Sequence, residues 1–191
     1  MPSFRYYTGS CPDNDPIKAI LPDQRDLKVQ ALSYCTLDPD QTREEDFDIP
    51  EHRILWTYWQ GLRGDGTIAR YSQINPEDFI KAIGNVLLLE PNENGTDFRY
   101  RVYGSNVAKL VGREMTGKWI SEFGEVPGRL SLAQYPAVMK LKTPLYSEHT
   151  ASYSASQSTR WCRLLLPMEN RDGVLDRILV GTVPKDFATI L

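Results

Sequence analysis

Metal-binding and acid–base chemistry need histidines, thiols or carboxylates gathered at short, fixed spacings. This chain has two histidines, His52 and His149, and three cysteines, Cys11, Cys35 and Cys162. No His, Cys or carboxylate cluster has metal-ligand spacing. Glu44-Glu45-Asp46 reads as a solvated charge run. The cysteines are far apart and in no CxxC arrangement, so they are expected to be reduced thiols with structural or neutral roles. Glu148 and His149 are neighbours on an expected strand, so their side chains point to opposite faces and cannot form one acid–base pair alone. No nucleophile elbow, P-loop or dinucleotide fingerprint is present, and Gly61, Gly64 and Gly66 read as loop punctuation. No residue is assigned a catalytic or metal-binding role.

The whole-chain properties exclude other classes. A chain of 191 residues is 41% hydrophobic and 25% charged, with a formal net charge of −3. That length suits one domain with extra segments. An acidic balance with no basic run argues against nucleic-acid partners and against a polybasic membrane attachment. No apolar stretch approaches the roughly 18–20 residues that span a bilayer. The N-terminus lacks the apolar core of a secretory signal, so the cytoplasm is the expected compartment.

The local patterns place the elements. Residues 1–46 form an N-terminal extension, partly irregular. Its apolar positions from Ile17 to Leu32 suit a short helix or a strap, and 37–46 reads as a linker. Residues 47–83 are expected to form flanking helices. Pro50 opens the first, and Ile54, Leu55, Tyr58 and Leu62 recur at helical spacing, widened by Trp56 and Trp59. Asn75-Pro76 opens a second short helix. Residues 84–191 form the core. The run 86–90 and the period-two segment 98–102 read as a hairpin across Asn94-Gly95. Ser105 and Thr116 are expected to cap two short helices that stop at Gly112 and Gly124. A longer helix covers 127–141, with Leu132, Tyr135, Val138 and Met139 inward and a kink at Pro136. Strands at 144–153, 159–168 and 175–183 follow, separated by a loop at 154–158 and a turn at Asp172-Gly173.

A hairpin, short helices leading into a longer one, and a three-strand meander make up the order of a PAS domain. Asp97-Phe-Arg-Tyr-Arg-Val-Tyr-Gly104, followed by Gly112-Arg-Glu-Met-Thr-Gly117, resembles a family of small stand-alone bacterial PAS proteins. Trp59-Gln-Gly-Leu-Arg63, Ala69-Arg70, Ile74-Asn-Pro76, Arg163-Leu-Leu-Leu-Pro167 and Asp176-Arg-Ile-Leu179 extend the likeness over residues 52–187. The resemblance implies an α+β PAS fold: a five-stranded antiparallel sheet covered on one face by helices, with a cavity between and N-terminal helices flanking it. It implies a sensory role in signal transduction, through a small molecule or a signalling protein partner, and no enzymatic activity.

No cofactor is expected. Haem-binding PAS domains present a histidine from the long helix, which here has none; Tyr135 reads as a core or cavity residue rather than an axial ligand. Light-sensing flavin domains need a cysteine near 105–125, and none is there. The candidate ligand-binding residues are Tyr100, Val111, Trp119, Leu132, Tyr135, Met139, Leu164 and Val180, with Tyr153 a further aromatic. They either line a cavity or simply fill the core. Arg99 and Arg101, on the face opposite Tyr100, are expected to be solvated or structural. Leu55, Trp56, Tyr58 and Trp59 are candidates for a homodimer interface, or else cap their own sheet. The alternative functions are a ligand-free dimerisation module and an isomerase or hydratase on a related cavity fold.

Overall fold

The computed structural model describes residues 4–22, 26–27, 29–154 and 157–189. Seven strands form one sheet: β1 Gln30–Thr36, β2 Ala69–Arg70, β3 Val86–Pro91, β4 Phe98–Tyr103, β5 Leu145–Ser154, β6 Gln157–Glu169 and β7 Leu175–Thr189. Their order is β1-β5-β6-β7-β3-β4, with β2 pairing parallel to the end of β6 and every other pairing antiparallel. The expected hairpin and three-strand meander are β3–β4 and β5–β6–β7. The sheet is larger than the five strands expected, because β1 comes from the extension read as partly irregular and β2 from the region read as flanking helices. Gln30–Thr36 supplies edge hydrogen-bonding groups to β5, a pairing no local pattern encodes.

Three α-helices stand against the sheet: α1 Pro50–Arg63, α2 Ser105–Val111 and α3 Glu125–Leu141. Pro50 occupies the first helical turn and Gly64 ends α1 at φ 54°. The Asn75 side chain accepts from the Glu77 N–H at 3.2 Å and starts a 3-10 helix over Pro76–Asn85. Two expected caps differ. The residue preceding α2 is Gly104, and Ser105 is already helical. Thr116 instead donates to Glu114 at 2.7 Å in the loop, and the 3-10 helix Ile120–Phe123 begins after Trp119. The long helix runs on through Pro136 to Leu141. Strand structure extends into the segment expected to be a loop at 154–158, since β5 reaches Ser154 and β6 starts at Gln157.

Both faces of the sheet are covered, not one. Strand alternation sends Val86, Tyr146, Cys162, Leu164, Leu166 and Leu179 to one side, beneath α1, the 3-10 helix 76–85 and the N-terminal segment. It sends Leu87, Leu89, Tyr100, Leu145, Leu165 and Val180 to the other, beneath α2 and α3. The uninterrupted runs 86–89 and 164–166 are the sequence trace of this double burial, since a strand buried on both faces has no polar alternation. Residues 37–46 are not a free linker: Leu37 is fully buried, and Gln60 donates to the Pro39 carbonyl at 2.6 Å.

One cysteine expectation is overturned. Cys11 and Cys35 form a disulfide with Cα atoms 5.6 Å apart, tying the N-terminal segment to β1. Twenty-four positions separate them, so only folding brings the thiols together. Cys162 remains a free, buried thiol, pushed up to about 12 chiefly by burial and also by Glu148, and is therefore unreactive.

Gly104 shows how closely the chain after β4 passes the entry to β3. A Cβ there would lie 2.3 Å from the Gly84 carbonyl oxygen and 2.9 Å from the Val86 nitrogen. Both are backbone atoms and cannot rotate away. Gly104→Ala is expected to lose about 2 kcal/mol in thermal unfolding. Gly61→Ala, on a helix position with open space around it, is expected to gain about 0.5–1 kcal/mol in the same measurement.

Candidate functional site

The face under α3 brings together Tyr100, Tyr135 and Val180, with the half-buried Val111, Leu132 and Met139 packed against them. Two ligand candidates lie elsewhere. Leu164 points to the opposite face, among α1 residues, because its parity along β6 differs from that of Leu165. Trp119 is half-buried outside the cluster, and its backbone bridges to Arg99. Tyr153 lies outside the residues whose side chains are described. Arg99 donates to the Gly117 carbonyl at 2.9 Å, and Arg101 lies 3.6 Å from Glu90, both at the surface.

The core of this face is polar at its centre. In register across three strands, Ser147, Arg163 and Thr182 lie side by side. Arg163 is only 5% exposed. Its guanidinium donates to Gln134 Oε1 at 2.9 Å and to the Tyr135 hydroxyl, and stands 5.1 Å from the Tyr135 ring centre. The Tyr135 ring in turn meets Phe98 edge-on at 5.4 Å. Among the described residues, no carboxylate pairs with Arg163. A buried cation satisfied only by neutral groups is rare, because burial penalises its charge.

Four polar atoms on this face lack any partner among the described residues: Gln134 Nε2, Ser147 Oγ, His149 Nδ1 and Thr159 Oγ1. Ser147, His149, Thr159 and Arg163 share strand parity on β5 and β6, and Gln134 comes down from α3. Arginine offers only donors, so Gln134 must turn its oxygen toward it and its NH2 group away. Burial, then Arg163 and Arg160, hold His149 neutral, down to about 3. Burial also raises Tyr100 well above the ordinary phenol range, so it stays a neutral hydroxyl.

This polar centre was missed in the sequence, yet a signal exists. Gln134 lies four residues after Leu130 and four before Val138, on the buried stripe of α3. Arg163 shares parity with the buried Trp161 and Leu165. A polar residue on an apolar stripe marks a buried polar group.

On the opposite face, three of the four proposed interface residues face inward. Leu55 and Trp59 are fully buried and Trp56 is 2% exposed, so they present no surface to a second copy. Trp56 and Trp59 stack at 5.5 Å, and the Trp59 indole donates to the Pro167 carbonyl at 2.7 Å. Tyr58 alone keeps part of its surface, in an open groove of about 550 Å³ with Ile54, Leu62 and Asp78. His52 is also buried; its Nε2–H donates to the Gly181 carbonyl at 3.2 Å, and burial holds it neutral, down to about 3.

The two histidines set an acid sensitivity. Each is neutral when folded and takes up a proton near pH 6.5 when unfolded, so their stability contribution is complete above pH 6.5 and falls away toward pH 3. Between pH 6.5 and 5 urea unfolding is expected to lose about 3 kcal/mol from the pair, and about half of that in His149→Gln. An unchanged slope in that variant would show that His149 is solvated.

Among the described residues, no group of three or more His, Cys, Asp or Glu is placed to hold a metal ion, and no helix is long and apolar enough to cross a membrane. No curated protein and no solved structure matched the chain. The profile of the PAS domain family matches residues 48–183. With α1 leading into the β3–β4 hairpin, the short helices, α3 and the closing meander, that match spans most of the chain, which therefore belongs to the PAS domain family.

Proposed function

We propose that this PAS domain is a sensory and regulatory module that takes up a small molecule between α3 and the sheet, and signals to a protein partner. The observation that carries the reading is the set of unpartnered buried polar atoms around Arg163, on the face where the apolar ligand candidates also converge. Ligand sites combine an apolar lining with a few convergent polar groups. Binding would signal by shifting a conformational equilibrium, because it fixes α3 against β5 and β6. The reading assigns no catalytic residue. His149, the buried histidine on this face, has Arg163 and Arg160 as its charged neighbours among the described residues.

Native mass spectrometry of freshly purified protein tests the proposal. An extra mass that denaturation releases is expected. A bare chain in every preparation, running as a dimer, would instead support the second reading, a ligand-free homodimer. One observation favours that alternative: the open groove of Ile54, Tyr58 and Leu62 along α1. Tyr58→Glu would then give monomers in sedimentation.

The cytoplasmic placement belongs to the same proposal. It requires Cys11 and Cys35 to be reduced in the cell, since disulfides persist in oxidising compartments. Rapid alkylation in lysates distinguishes a fully reduced chain from one in which only Cys162 reacts after unfolding.

A further inference from the structure

We infer that the molecule bound under α3 carries a single carboxylate group, and that Arg163, Gln134 and Ser147 grip it. The inference rests on the ligand-binding reading above and names the chemistry of the ligand.

The polar groups are all able to donate. Arg163 has five N–H groups and uses two of its nitrogens on Gln134 and Tyr135. The Gln134 amide has its oxygen committed to Arg163 and its NH2 without an acceptor. The Ser147 hydroxyl has no partner and lies directly across β5–β6 from Arg163, where facing side chains meet. The Tyr135 hydroxyl accepts from Arg163, and a phenol O–H is also a donor. Among the described residues no acidic side chain balances this set. What is missing is an acceptor with negative charge.

Charge and shape narrow the class. Among the described residues the permanent cation of this cluster is Arg163, so a monoanion balances it and a phosphate dianion over-compensates it. A planar guanidinium fork beside a planar amide matches the plane of a carboxylate. Along β6 from Arg163 the same face carries Trp161 and then Thr159, with His149 opposite Trp161. The rest of the molecule therefore meets an aromatic wall and two unpartnered polar atoms, Thr159 Oγ1 and His149 Nδ1. A short hydroxylated or aromatic carboxylic acid fits that surface better than a bare inorganic ion.

Calorimetry and thermal unfolding with sodium acetate, hexanoate, benzoate and 4-hydroxybenzoate test the inference. The matched amides, chloride and phosphate are the controls, all at one ionic strength. Saturable binding of a carboxylate, with its amide about tenfold weaker or more, is the expected result. Ser147→Ala and Gln134→Leu should each weaken it by about tenfold, and Arg163→Met should abolish it. Arg163→Met leaves the Gln134 oxygen without its donor, so Gln134→Leu/Arg163→Met, which removes both ends, guards against simple misfolding.

Carboxylate binding that survives in a folded Arg163→Met chain would overturn the inference, because the ion then sits elsewhere. Equal binding of acid and amide, or of phosphate alone, would overturn it too. A neutral mass released in the native spectrum, with no response to any carboxylate, would remove the carboxylate and leave the sensory reading standing. No bound mass, no response to any probe, and a higher melting temperature in the double variant would remove both.

Discussion

Glu148→Ala is expected to destabilise the chain by about 3–5 kcal/mol, the range for removing one partner of a buried ion pair. Glu148 is fully buried on the α1 face. Its carboxylate accepts from Arg160 Nε at 2.7 Å, from the Tyr146 hydroxyl at 3.1 Å, and from the backbone N–H groups of Arg5 and Tyr6 at 3.1 and 2.9 Å. These bonds hold the first residues across the sheet, where Asp48 N–H donates to the Tyr6 carbonyl and Thr8 N–H to the Asp46 carbonyl. Alanine would remove an acceptor from Arg160, from the phenol and from two backbone amides at once. Glu148→Gln keeps the shape and one carbonyl acceptor but loses the charge, so a smaller loss is expected. Urea unfolding measures both, and hydrogen exchange at Arg5 and Tyr6 shows whether the segment lifts. A loss below about 1 kcal/mol in the alanine variant would mean that water replaces the carboxylate and the segment is not anchored there.

Trp59→Ala is expected to cost about 3–5 kcal/mol by emptying a large volume in the core. Trp59 is fully buried, stacks on Trp56 and donates its indole N–H to Pro167. Trp59→Phe keeps most of the ring volume and removes the indole donor to the Pro167 carbonyl, so about 1–2 kcal/mol is expected. Thermal unfolding and sedimentation on the same samples separate two roles. A core residue gives a lower melting temperature at unchanged mass. An interface residue gives a folded monomer where the parent chain is a dimer, and that outcome would contradict the burial described above.

The two faces of the sheet differ in how their buried charges are satisfied. The α1 face pairs its buried carboxylate with Arg160 and closes its aromatic cluster around Tyr7, Phe47, Trp56 and Tyr146. Among the described residues the α3 face buries Arg163 without an acid, and polar atoms beside it lack partners, as His52 Nδ1 does on the α1 face. Buried polar groups that lack partners lower stability and persist where function needs them.

Much of this molecule was legible in its sequence. The limits of α1, the Asn75 cap, the β3–β4 hairpin and the opposite orientation of Glu148 and His149 follow from period, caps and strand parity, which act over a few residues. The order of those elements was enough to point to the PAS fold. Other features depend on segments far apart in the chain. The pairing of Gln30–Thr36 with β5 and the Cys11–Cys35 bond join segments that local periodicity does not relate. The residues 86–89 and 164–166 spelled out burial on both faces, but which helices supply the second cover is decided by packing. Trp56 and Trp59 have the composition of an interface, and only the path of the chain around them makes them core. The same holds for Arg163: strand parity places it inward, while its lack of an acidic partner emerges only when α3 lays Gln134 and Tyr135 across it. Local geometry is encoded by neighbours in sequence, whereas the partners of a buried charge are chosen by the tertiary fold.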